Sequence, residues 1–243
     1  MKKFGLIGKK LTHSFSKEYF NKKFKKSNLE NYQYNNYEIK NLDEIEQLLK
    51  TEKLCGLNVT IPYKQEIINY LDNIEITAKE IGSVNTLKIK EKKIFGYNTD
   101  ILGFEKSILP LIGNRKSALI LGNGGASQTV QFIFKKHNIK CTVVSRNGEK
   151  NYTNLTFKDI VNNLIIINTT PLGMYPNNLL PNIPYDHLNN NQIHHFHLNL
   201  SNPIYYYFQM VHLHPKHHHH YQKNYHLNPA SHLLMDLCSY CLH

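Results

Sequence analysis

Apolar and polar residues alternate along the first hundred positions in short blocks of two kinds. "KFGLIG" (3–8) is a brief apolar run closed by glycine, which predicts a strand. "THSFS" follows, then a helix from about Lys17 with Ser16 as its N-cap. Tyrosine-rich "YQYNNYEI" (32–39) predicts a second strand. "NLDEIEQLLK" (41–50) carries acids in its first turn and apolar residues at helical spacing, so it predicts a helix. "LCGLNVTI" (54–61) is nearly continuous in apolar residues and predicts a buried strand. "KQEIINYLD" (64–72) predicts another helix, and "SVNTLKIKEKKIFGYNTD" (83–100) two strands around a lysine-rich turn. Strand and helix alternating in this way imply an α/β layer.

The second half repeats the alternation with a glycine signal inside it. "KSALILGNGGASQTVQFIFKKHNIKCTVVSRNGEK" (116–150) predicts strand, glycine turn, helix, strand. The turn is Gly122-Asn123-Gly124-Gly125-Ala126-Ser127, which fits G-x-G-x-x-G/A except that Ser127 replaces the last small residue. Glycines there let the backbone approach a pyrophosphate, and the following helix offers its N–H groups, so this segment predicts a dinucleotide site. The next strand ends in Ser145-Arg146-Asn147, with Lys150 close behind. An NAD site would place an acid here for the ribose hydroxyls. A positive charge accommodates a 2′-phosphate, so the expected cofactor is NADP. A third strand in "LIIINTTPLGM" (164–174) carries Asn168, Thr169 and Thr170 at its carboxyl end, facing the same crevice.

Polar residues gather at the strand ends of the first half: Ser14 and Ser16, Thr60 and Lys64, Asn85 and Thr86, Asn98 and Asp100. Singly, each has an ordinary structural use as a cap, a turn or a solvated charge. Together they describe a pocket of hydroxyls, amides, one lysine and one carboxylate, beyond the strand ends where α/β sheets bind ligands. Such a pocket suits a small polyhydroxylated molecule. No arginine precedes Arg115, so a ligand carboxylate here would be held by hydroxyls and not by a guanidinium fork. "NVTIPYK" (58–64) poses the sharpest question: Lys64, just past a buried strand, is either surface charge or a proton donor at the mouth of a site.

Composition narrows the class. The 243 residues are enough for one large domain or two small ones, and no long apolar run offers a membrane span. The start, "MKKFGLIGKKLTHS", has too short an apolar stretch for a signal peptide, so a cytoplasmic protein is expected. Four scattered cysteines do not make a disulfide framework. The net charge of +11 is almost all lysine, which reads as a solvated surface more than a nucleic-acid reader. Expected partners are therefore a small-molecule substrate, no nucleic acid and no membrane, with a homodimer as the candidate assembly.

"HSFS", "NVTIPYK", "GSVNT", "GYNTD", "GNGGAS", "SRNGEK" and "NTTPLGM" occur in the order and spacing of shikimate dehydrogenases, and over about residues 1–185 the chain resembles that family. The resemblance implies two domains, an N-terminal α/β substrate domain (1–100) and a Rossmann-like NADP-binding domain (101–243), with a cleft between them. It implies reversible reduction of 3-dehydroshikimate to shikimate with NADPH, on the route to chorismate and the aromatic amino acids. By motif, Ser14, Ser16, Thr60, Asn85 and Asp100 would contact shikimate, Lys64 and Asp100 would be the catalytic pair, and residues 122–126 and 145–150, with Thr169, would hold NADP. A free lysine, with a pKa of about 10.4, is a ready cation but a reluctant acid. Asp100 beside it is expected to orient it and relay the proton.

Lys17 and Phe20 stand where the family has proline and histidine, differences that read as tolerable. The chain departs from the family most after about residue 187. Thirteen of its fifteen histidines lie from His187 onward, and Asp236 is the only acid there. "FHLNLSNP" (196–203) keeps only an Asn-Pro of the family's Asp-x-x-Tyr-x-Pro strand, and no glycine follows Gly173 to lead the helix whose glutamine reaches substrate. The tail is therefore expected to pack poorly and to leave the substrate site incomplete. The second functional reading is a catalytically impaired or inactive NADP-binding relic. "HHHH" (217–220) and "CSYCLH" (238–243) match no metal-binding spacing, so no biological metal site is expected.

Overall fold

The structure is a computed structural model that describes residues 1–12, 14–172, 179–188, 192–197, 208–214 and 217–225, those from 193 on as backbone alone. The described residues divide after Asp100 into two compact units, each α/β.

The first unit runs β1 (Lys2–Gly8), α1 (Ser16–Lys26), β2 (Tyr32–Glu38), α2 (Ile45–Glu52), β3 (Leu54–Val59), β4 (Asn73–Ile74), α3 (Ile76–Ile81), β5 (Thr86–Lys90) and β6 (Lys93–Tyr97). Its six strands form one sheet in the order β2-β1-β3-β5-β6-β4. β1 runs parallel to both β2 and β3, which is why it is buried along most of its length. The two-residue period sends Phe4 and Leu6 into an aromatic core with Phe20, Phe24 and Tyr34. Ile7 enters the opposite core, with Leu57, Val59, Ile67 and Leu87.

β5 returns antiparallel to β3, and β6 antiparallel to β5. Their hairpin turns at Glu91 and Lys92, both with positive φ (53° and 65°), as a tight two-residue turn demands. Asn58 of β3, Thr86 of β5 and Tyr97 of β6 consequently stand side by side. Thus the carboxyl ends of β3 and β6 meet the amino end of β5 at one edge of the sheet.

The second unit runs from α4 (Asp100–Ile112, which begins on the last residue of the first) through β7 (Ser117–Leu121), α5 (Gly125–Lys136), β8 (Lys140–Val144), α6 (Phe157–Val161), β9 (Ile165–Asn168) and β10 (Ile193–His197). Strands β10-β9-β7-β8 make a wholly parallel sheet. β7 and β9 lie at its centre, and their apolar runs Ala118–Leu121 and Ile165–Ile167 are buried throughout. β11 (Phe208–His214) and β12 (His217–Tyr225) pair as a separate antiparallel ladder. Among the described residues no helix is long and apolar enough to cross a membrane.

Several elements differ from the sequence pattern. Ser16 is the first residue of α1 and not its cap; Phe15 holds the cap position and makes no side-chain cap hydrogen bond. The stretch 64–72 forms a short 3₁₀ turn, Glu66–Tyr70, and 41–50 begins as 3₁₀ before becoming α2. The pattern did not announce α6, whose five residues are set by a capping box between Thr156 and Asp159. The tail expectation falls mostly outside the described residues: Cys238 and Cys241 are not described, and of His217–His220 only the backbone is.

Phe104 of α4 and Phe134 of α5 are both fully buried, their rings 6.0 Å apart. Phe134→Ala should cost about 3–5 kcal/mol of stability. Urea denaturation followed by circular dichroism would measure it, and a loss below about 1 kcal/mol would mean that the site can collapse onto the cavity.

Candidate active site

Lys64 lies just past β3 in a turn held at several points. Tyr63 N–H donates to the Thr60 carbonyl, Val84 N–H donates to the Lys64 carbonyl at 2.7 Å, and the buried Tyr63 hydroxyl donates to the Ile39 carbonyl at 2.7 Å. The Ile61–Pro62 peptide bond is cis. So anchored, the lysine side chain turns inward: it is only 6% exposed, as is that of Asp100, and Nζ donates to Asp100 Oδ2 at 2.8 Å. Removing two charges from water costs more than a surface ion pair returns, so such a pair persists where its surroundings satisfy it.

Those surroundings are specific. Asn85 Nδ2 donates to the other carboxylate oxygen, Asp100 Oδ1, at 2.6 Å. Asp100 N–H donates to Asn98 Oδ1, and Asn98 in turn donates to the Ser83 carbonyl. Asp100 also opens the thirteen-residue helix α4, where the helix dipole favours negative charge. Thr60 is buried next to this group, and its N–H donates to the Ile7 carbonyl. A Cβ on Gly8 would stand 2.6 Å from Thr60 Cγ2, so the glycine ending β1 is what lets Thr60 pack there. Ser14 lies in the β1–α1 connection and Ser16 at the first position of α1: Ser16 is fully buried, and Ser16 N–H donates to Ser14 Oγ at 3.3 Å. Of the first-unit residues predicted from sequence, Lys64, Asn85, Thr86, Asn98 and Asp100 thus form one hydrogen-bonded cluster.

The glycine turn of the second unit has the geometry of a phosphate cradle. Gly122 has φ +108°, and a Cβ there would meet Thr169 Oγ1 at 2.7 Å. At Gly124, the N-cap of α5, a Cβ would meet nothing within 4 Å, and no side chain caps the helix. Open space in front of an uncapped helix N-terminus is the chemistry a pyrophosphate needs, and Gly125 and Ala126 continue the first turn. Asn123 is exposed and accepts from Gln128 Nε2. Ser127, the departure from the motif, is fully buried, and its hydroxyl accepts from Gln131 Nε2 at 3.0 Å. The cradle therefore tolerates the serine.

The end of β8 is more divided. Arg146 and Asn147 are exposed, and Ser145 N–H closes the turn onto the Lys150 carbonyl. Burial pushes the Tyr152 phenol up, and the Arg146 guanidinium pulls it the other way, which locates Arg146 within electrostatic reach of that ring. Lys150 is already engaged: Nζ donates to Asp159 Oδ2 at 3.0 Å, the same carboxylate that caps α6. Thr169 donates its hydroxyl to the Leu121 carbonyl at 2.7 Å, locking β9 to the glycine turn. Asn168 is fully buried and tied to Thr170 and the Leu172 carbonyl. Sequence reasoning had no pattern for Asp159 as the partner of Lys150, nor for Thr99, which donates its N–H to Asn85 Oδ1. Among the described residues no group of His, Cys, Asp and Glu could hold a metal.

The sheet order and these two clusters describe a two-unit α/β protein with a polar, charged centre in one unit and a dinucleotide-type turn in the other. Residues 6–87 match the family of the shikimate dehydrogenase substrate binding domain. The chain is 40% identical over 216 residues to the shikimate dehydrogenase (NADP(+)) of Methanococcus vannielii, covering 78% of this chain and 75% of that one. It superposes on shikimate dehydrogenase 1 of Peptoclostridium difficile with a TM-score of 0.70 at 35% identity, over 84% of this chain and 78% of the other. The Thermus thermophilus shikimate 5-dehydrogenase, solved with NADP(H) and shikimate, aligns with a TM-score of 0.65 at 25% identity, over 77% and 75%. The chain belongs to the shikimate dehydrogenase family.

Gly122→Ala tests the turn directly. Positive φ and the 2.7 Å approach to Thr169 both oppose a side chain, so we expect a loss of about 1–3 kcal/mol. Thermal melting would register it; an unchanged Tm would show that the turn relaxes freely.

Proposed function

We propose that the protein is an NADP-dependent shikimate dehydrogenase, interconverting 3-dehydroshikimate and shikimate. The observation that carries this reading is the buried Lys64–Asp100 pair, oriented by Asn85, in a chain of this family. The first unit is read as the substrate domain and the second as the cofactor domain. NADPH, when bound, supplies the hydride. Reduction of a ketone leaves negative charge on oxygen, which must be neutralised. Lys64 is the group in this chain that can do so: its ammonium gives its proton to the oxygen, and Asp100 holds the ammonium in place and relays a replacement proton to the neutral amine from solvent. Ser14, Ser16, Thr60 and Asn85 supply hydroxyl and amide partners for a polyhydroxylated ring and its carboxylate. On the cofactor side the pyrophosphate is assigned to residues 122–126. The 2′-phosphate is assigned to Arg146, flanked by Ser145 and Asn147.

A second reading, a non-catalytic NADP-binding relic, draws on the sequence after His187, which lacks the family's tyrosine strand and glutamine helix. A shikimate-dependent rise in NADPH absorbance with purified protein decides between the two. Turnover supports the first reading. NADP binding without turnover supports the second.

In the active protein, Lys64→Ala should lower kcat roughly 10²–10⁴-fold and leave NADP affinity nearly untouched. Asp100→Asn should also slow turnover, and the double variant should be less damaged than the product of the singles. Strictly multiplicative losses would sink the pair mechanism. A KM effect alone would make Lys64 a binding residue.

Arg146→Ala should cost NADP on the order of 1.5–3 kcal/mol of binding and leave NAD unaffected. Lys150→Ala should cost less, because Lys150 is already paired with Asp159. Titration with both cofactors checks this, and an unchanged NADP-to-NAD preference in Arg146→Ala would remove Arg146 from the role.

A further inference from the structure

Tyr34, on β2, is not among the residues that the motifs single out, yet its hydroxyl ends inside the candidate site's hydrogen-bond network. We propose that Tyr34 is a positioning residue for the Lys64–Asp100 pair, acting through Asn58, Thr86 and Asn85; the proposal rests on the dehydrogenase reading above. Tyr34, Asn58, Thr86, Asn85 and Asp100 are all buried, between 2% and 9% exposed, so water is a poor substitute for a lost partner.

The direction of each hydrogen follows from the chemistry of the groups. The carboxylate of Asp100 only accepts, so Asn85 must present its Nδ2 to Asp100 Oδ1 at 2.6 Å. Its Oδ1 then faces the other way and accepts from Thr99 N–H at 2.9 Å and from Thr86 Oγ1 at 3.1 Å. A hydroxyl has one hydrogen, so Thr86, having donated, accepts from Asn58 Nδ2 at 3.3 Å. That turns Asn58 Oδ1 toward Tyr34, whose hydroxyl donates to it at 2.7 Å. Donors can thus run in one sense, Tyr34 to Asn58 to Thr86 to Asn85 to Asp100, with the Thr99 hydroxyl as a branch 3.3 Å from Thr86 Oγ1 and 3.0 Å from Asn85 Nδ2, and Lys64 closes the other oxygen.

The tyrosine itself is held from both sides. Asn21 of α1 brackets its backbone, accepting from Tyr34 N–H at 3.0 Å and donating to its carbonyl at 2.9 Å. The ring stacks on Phe20 with centroids 4.5 Å apart. The nearby Tyr63 gives the contrast: equally buried, it spends its hydroxyl on a backbone carbonyl and fixes no side chain. Without the Tyr34 hydroxyl, the Asn58 amide loses what tells its oxygen from its nitrogen. A flipped Asn58 would accept from Thr86, and Thr86 would no longer donate to Asn85.

Tyr34→Phe keeps the ring and removes only the hydroxyl. We expect kcat for shikimate oxidation to fall about 5–30-fold, the worth of one to two lost hydrogen bonds, with the KM for NADP unchanged. Placed on Thr86→Val, which cuts the chain downstream, Tyr34→Phe should have almost no further effect on kcat, because the two act in series. The side-chain amide NMR signals of Asn58 and Asn85 should both move in Tyr34→Phe, while that of Asn123 in the second unit stays. This last readout needs no turnover, so it separates failure of the proposal from failure of the dehydrogenase reading. Movement confined to Asn58, or a full multiplicative loss in the double variant, would overturn the proposal. Movement of Asn85 in a protein without turnover would uphold the chain and sink only the reaction.

Discussion

Two opposite charges with side chains 6% exposed set the terms for the first unit. A carboxylate out of water must find donors for its lone pairs, and an ammonium must find acceptors. The sheet supplies the carboxylate's second donor because β5 runs backwards. The antiparallel return puts the amino end of β5 beside the carboxyl ends of β3 and β6, so Asn85 and Thr86 reach the same place as Lys64 and Asp100. A wholly parallel sheet would have carried Asn85 to the opposite edge. One change of strand direction thus allows a buried charge pair to exist.

The second unit solves the reverse problem, that of leaving groups unsatisfied. The uncapped start of α5, the open space at Gly124 and the positive φ of Gly122 keep backbone N–H groups available instead of spending them internally. Thr169 makes this possible by fastening β9 to Leu121 just before the turn, so the loop is rigid without being filled. One unit gives its buried carboxylate donors on both oxygens, and the other leaves the start of a helix uncapped.

Much of this was legible in the chain, and the limits have physical causes. Central strands such as Leu54–Val59 and Ile165–Asn168 were readable because burial on both faces demands continuous apolar runs. The Gly122–Ser127 turn was readable because its first position demands glycine: Gly122 has positive φ and no room for a Cβ. Lys64 was ambiguous, since a lysine past a strand is usually solvated and nothing local says that Val84 and Tyr63 pin its turn. Lys150 looked available because nothing in the pattern marks Asp159, nine residues on, as its partner; that one carboxylate serves both the cap of α6 and the lysine. Ser16 was misread as a cap because a serine before a helix normally is one. The direction of β5 left no mark in the pattern, because hairpin and crossover strands share a two-residue period.

The polar wall of the first unit is also where stability and function diverge. Replacing a buried pair and its amides with well-packed apolar side chains is often neutral or favourable for folding. Yet from Tyr34 to Asp100 this unit buries hydroxyls and amides beside an aromatic cluster that could have accommodated leucines. Every one of them must be oriented, and orientation costs side-chain entropy that packing alone would not demand. What the arrangement gains is a single sense of hydrogen bonding that leaves the carboxylate fixed against one ammonium. A fold selected for stability alone would have no use for that direction. In the proposed reaction that direction has a use, because preorganised dipoles need not reorganise when negative charge appears on the substrate oxygen.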